Sequence, residues 1–149
     1  MTGFDAYVGL NLAAFASGMT TPRDIPPRGE QTPPPPTGVG LNYMGGTATV
    51  SWTEPTLVGT PTDKFVRVWA KLGKGHKQIV ASIAMPSPGT YSFTELRSGH
   101  SQDSPKIILV NESTNILLVQ MDTIVARKAG QAPMIGPSSN VAQFKIVNP

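Results

Sequence analysis

Five consecutive residues, His100, Ser101, Gln102, Asp103 and Ser104, carry a base, two hydroxyls and a carboxylate, the side-chain types that activate a serine nucleophile. A triad takes its members from separate elements held in register by a scaffold, and neighbours within one loop seldom reach that geometry. The cluster reads as a polar loop, and the chain as a non-enzyme. Cysteine is absent, which removes disulfides, thiolate metal sites and a thiol nucleophile together. Two His and nine acidic residues form no helical His-x-x-x-His pair and no calcium loop, so no metal is expected. Gly38-x-Gly40 is followed by strand-like residues rather than a helix, which leaves no phosphate-cradling loop and no expected cofactor.

Binding chemistry has two further candidates. Lys71, Lys74, His76 and Lys77 gather around Gly73 and Gly75, and a glycine-flanked basic hairpin tip reads as a solubilising loop before a phosphate clamp. Phe65 and Trp69 fall on the polar face of an alternating segment that also carries Arg67 and Lys71. Such aromatics stack on sugar rings or anchor a protein interface; the alternative is that a flanking arm or a neighbouring subunit covers them. Phe65, Trp69, Lys74 and His76 are thus the candidate surface-binding residues. Asn111-Glu112-Ser113 fits a glycosylation pattern but carries no weight without a secretory context.

These residues need a scaffold, and the composition limits which. At 149 residues, with 39% hydrophobic and only 14% charged, the chain can build one core and is not disordered throughout. The 15 Gly and 15 Pro favour a turn-rich β protein over long helices. A net charge of +3 spread along the chain is no phosphate-neutralising footprint, so nucleic acid is not an expected partner. No apolar run approaches the roughly 20 residues that span a bilayer. Residues 1–18 lack a basic leader and contain Asp5, which predicts a protein without a secretion signal, made and kept in the cytosol or released by lysis rather than by secretion.

Three zones differ in texture. Residues 1–20 form an apolar arm with Phe4, Tyr7, Val8, Leu10, Leu12 and Phe15. Phe4, Val8, Leu12 and Phe15 share one face at helical spacing, but a segment this short orders only against a partner. Residues 21–36 contain Pro22, Pro26, Pro27 and the run Pro33 to Pro36, which predicts a stiff polyproline II spacer. From residue 37 to 149 the pattern alternates. Val39, Leu41 and Tyr43, a Gly45-Gly46 turn, then Ala48, Val50 and Trp52 make a hairpin. Residues 65–72 alternate with Val66, Val68, Ala70 and Leu72 on one face, and residues 78–84, 90–93, 116–126 and 141–147 follow as further strands. Short strands at this spacing predict a sandwich.

Pro36-Thr37-Gly38-Val39 followed by Ala48 to Pro55, with Trp52 in the strand, resembles the first hairpin of a fibronectin type III domain. Val66-Arg67-Val68 resembles strand C of that family, Phe93 and Leu96 the end of strand E, and Ala126 to Gly130 with Gly136 to Val141 the F–G loop and the start of strand G. The resemblance covers about three quarters of the chain. It implies an all-β, fibronectin type III-like (Ig-like) sandwich with Trp52 packed across its middle. Two departures stand out: no Tyr follows Tyr91, and residues 97–114 separate E from F. They predict an inserted strand or flap over residues 104–111.

Fold alone does not assign function. The expectation is a structural or decoration protein of a virion, of a tailed phage, whose arm docks into other virion proteins or copies of itself while the sandwich forms or covers a surface. The alternative is a carbohydrate-binding or adhesion module that takes surface glycans through Trp69, Phe65 and the loops around Lys74 and Gly136.

Overall fold

The period-2 alternation becomes two packed antiparallel sheets in a computed structural model of the chain, which describes residues 32–59, 61, 63–127 and 130–148. The apolar arm residues Phe4, Tyr7, Val8, Leu10, Leu12 and Phe15 lie outside these. Strands β1 (Thr37–Met44), β2 (Thr47–Thr53) and β5 (Thr90–Phe93) form one sheet in the order β1-β2-β5. Strands β3 (Lys64–Leu72), β4 (Gln78–Ala84), β8 (Thr114–Val125) and β10 (Ala142–Val147) form the other in the order β10-β8-β3-β4, and β9 (Met134–Ile135) pairs with the end of β8. This is strands A, B and E facing C′, C, F and G, the fibronectin type III-like arrangement. Gly45 and Gly46 turn β1 into β2 at φ +59° and +90°, a left-handed conformation that glycine adopts without a Cβ clash.

The core follows from side-chain period. Val66, Val68, Ala70 and Leu72 of β3 stand opposite Thr123, Met121, Val119 and Leu117 of β8, and this face meets Val39, Ala48, Val50, Trp52 and Phe93 from the other sheet. Each fully buried Val or Leu contributes about 1.5–3 kcal/mol through removal from water. Trp52 packs in this core as the family resemblance implies, and its indole N–H donates to Ser87 Oγ at 3.0 Å. The other face of β3 carries Phe65, Arg67, Trp69 and Lys71, opposite Ile124, Asp122, Gln120 and Leu118.

The predicted insertion between E and F is present. Strands β6 (Glu95–Arg97) and β7 (Lys106–Ile108) pair with each other, and a 3₁₀ turn, Leu109–Asn111, leads to β8. Leu96 and Leu109 are buried and close the open end of the core. The prolines before β1 also pack. Pro33 and Pro36 are buried, Thr123 Oγ donates to the Pro34 carbonyl at 2.8 Å, and a Cβ on Gly136 would collide with the Pro33 carbonyl oxygen. Residues 33–36 therefore lie in a seat made by β8 and the segment after β9.

Candidate functional site

A cleft of about 470 Å³ opens beside the β3–β4 hairpin and is lined by Trp69, His76, Lys77, Arg97 and His100, with Gln78, Ile79 and residues 99–102 completing it. Three separate pieces of chain build it: the outer face of β3, the β3–β4 turn with the start of β4, and the end of β6 with the β6–β7 loop of the insertion. A bulge sets their alignment. Between Val68 and Trp69 the register on β4 steps from Ala81 to Ile79, with Val80 as the extra residue. A single extra residue exchanges the faces of everything beyond it. Ile79 consequently stands beside Trp69, and Gln78 opposite Ala70. From there the Gln78 side chain acts as one more peptide unit: its Oε1 accepts the Arg97 N–H at 2.9 Å and its Nε2 donates to the Arg97 carbonyl at 3.0 Å. This pair of bonds ties the insertion to the sheet and closes the cleft on one side.

Positive charge dominates the lining. His76 and His100 meet with ring centroids 4.2 Å apart, although they are 24 positions apart in the sequence. Burial, and then the charge of His100, lower the His76 pKa from its ordinary value. Lys77 places Nζ 5.3 Å from the Trp69 ring centroid; burial lowers its pKa to about 8, with Asp122 opposing the shift and Lys71 adding to it. Arg97 gives one guanidinium N–H to the Ser104 carbonyl at 3.3 Å. No lining residue is a carboxylate. The nearest acid on the sheet, Asp122, is 1% exposed and engaged side-on by Arg67.

Of the sequence candidates, Trp69 and His76 enter this cleft, whereas Lys74 and Phe65 do not. Lys74 is exposed at the hairpin tip, and Phe65 sits four residues from Trp69 on β3, opposite Ala84 and Ile124. Phe65 and Trp69 form the aromatic pair of the polar face. Both rings are half-buried, and Trp69 is flanked by its own chain, with the Arg67 guanidinium 5.2 Å and the Lys77 ammonium 5.3 Å from its centroid. Cations on an indole ring are held by its quadrupole and occupy the face a sugar would stack on. Gly136 itself is buried under Pro33, while Pro133, Pro137 and Asn140 around it are exposed. Lys77 is half-buried, with its ammonium rather than open solvent over the Trp69 ring.

The His100 to Ser104 cluster does not assemble for catalysis. Ser101 Oγ accepts the Asp103 amide N–H, and among the described residues no hydrogen bond joins His100 to either serine or to Asp103. No group of three or more potential metal ligands occurs among them either. Arg97 was not visible as a site residue; its one sequence signal is a basic residue directly after the buried Leu96.

No family model and no curated protein matches the chain. Among solved structures it is similar to a titin chain comprising the kinase and its flanking domains, at 15% identity and a TM-score of 0.44 over 80% of this chain and 18% of that one. A chain of several titin domains gives 15% identity and a TM-score of 0.43 over 78% of this chain and 32% of that one. The chain thus spans between about a fifth and a third of those chains. The fold assignment rests on the strand order and register described above.

Proposed function

We propose that the chain is a non-enzymatic structural or decoration protein of a virion, anchored by its N-terminal arm with the sandwich forming or covering a surface. The supporting observation is the proline seat. Pro33 and Pro36 are buried, and Pro34 is held by Thr123, so residues 33–36 are fixed to the sandwich. A stiff polyproline lead clamped onto the domain transmits position, as an element of a repeating surface needs. The apolar residues Phe4, Val8, Leu12 and Phe15 supply the docking end. The test is incorporation: residues 32–149, which keep the seat, are expected to be lost from purified particles that retain the full chain. Equal incorporation of both would reject the reading.

A second reading, a carbohydrate-binding or adhesion module, is favoured by the cleft between the β3–β4 hairpin and the insertion, with its polar and basic lining. The two readings are compatible, since a surface protein of a particle can also bind its target.

A further inference from the structure

We propose that the cleft between the β3–β4 hairpin and the E–F insertion binds a tetrahedral oxyanion, the phosphate or sulfate group of a small molecule or saccharide, held by Lys77 and Arg97 with His76 and His100. The inference deepens the binding-module reading and rests on it; it names the ligand class.

Three observations carry it. First, the lining gathers Lys77, Arg97 and two imidazoles from the β3–β4 hairpin and the insertion without one carboxylate, an arrangement that an entering anion would stabilise. Second, two neighbouring acids are bonded to cations outside the cleft: Asp122 to Arg67 on the sheet, from where it still acts on Lys77 through space, and Glu95 to Lys106 at 3.2 Å on the insertion, while the exposed Asp103 lies one residue beyond the lining. Third, the Trp69 ring carries Arg67 and Lys77, which removes the stacking face a neutral sugar would use and leaves charge as the means of recognition. Donors on several sides suit the three or four oxygens of a tetrahedral anion better than the two of a carboxylate. Ser101 and Gln102 at the rim add neutral donors.

The full chain contains two histidines, so its two imidazole Cε1–H resonances report directly on the site. Inorganic phosphate, inorganic sulfate and glucose 6-sulfate are titrated at pH 6.5 against sodium chloride of matched ionic strength. Both resonances are expected to shift with phosphate or sulfate and not with chloride, and affinity to fall at least tenfold in Lys77→Gln and in Arg97→Gln. Circular dichroism confirms the fold of each variant, and if Arg97→Gln does not fold, Lys77→Gln alone decides. A tighter response to glucose 6-sulfate than to sulfate assigns the anion to a saccharide; the reverse assigns it to a free ion. Equal shifts in chloride, or unchanged affinity in a folded variant, overturn the inference. Tryptophan quenching by galactose with no response to either anion would also overturn it while leaving the binding-module reading in place.

Discussion

Arg67 and Asp122 are directly opposed on β3 and β8 and meet side-on, Nε to Oδ1 at 2.8 Å and the terminal nitrogen to Oδ2 at 2.6 Å. The pair fixes the outer face of the sheet, because the same guanidinium lies against Trp69. The carboxylate is sealed from water, whereas the Arg67 side chain keeps 13% exposure. Removing the acid strands a partly buried cation, a loss that costs about 3 kcal/mol or more. Asp122→Asn is expected to lower the unfolding free energy obtained from urea denaturation by that amount. It should also depress the Lys77 pKa further, since Asp122 is the group that raises it. An unfolding free energy within about 0.5 kcal/mol of the parent, the range of ordinary surface substitutions, would show the pair to be solvated.

Lys77 makes stability depend on alkaline pH. Its pKa is lowered from 10.5 to about 8 in the fold, so between these values the unfolded chain binds more protons than the native one, and stability rises with pH. The penalty of the charged amine is fully present below about pH 8 and is relieved by about pH 10.5. His76, lowered in the same sense, adds a loss of stability as pH falls below 6.5. Thermal midpoints of the parent are expected to rise relative to Lys77→Gln from pH 8 to 10, while parallel curves would show that Lys77 is solvated in the native state.

Gly136 has no room for a methyl group beneath Pro33. Gly136→Ala must push the proline run off its seat or strain β9, at about 1–3 kcal/mol. Exchange of the residue 136 amide, which donates to the Thr123 carbonyl at 2.9 Å beside the seat, is expected to accelerate in this variant and in Thr123→Val, which deletes the hydroxyl bound to Pro34. Unchanged exchange in both would mean that the seat does not hold the segment.

Gln78→Ala deletes both bonds to the Arg97 peptide and leaves a half-buried N–H and C=O without these partners, a loss of about 1–3 kcal/mol. Amide exchange over residues 95–108 should become faster, with β3 and β8 unaffected. Oxyanion affinity should fall with it, since Arg97 lines the cleft. Exchange that rises equally in β8 would mean that Gln78 supports the whole sandwich rather than the insertion.

What the sequence determined by itself was local. Strand positions, the core face of β3 and the placing of Trp52 follow from a period of two, which each segment carries independently of its neighbours. The extra segment between E and F was legible as a length of chain that the resemblance left unassigned. The cleft was not legible. Its walls meet only because a bulge at Val80 shifts the β3–β4 register and the Gln78 side chain then captures Arg97, and neither event leaves a mark in residue type. The tertiary structure alone brought His100 onto His76, Lys77 over Trp69 and Pro33 against Gly136. Each of these contacts depends on register and side-chain packing, in which one residue of slip exchanges the two faces of a strand.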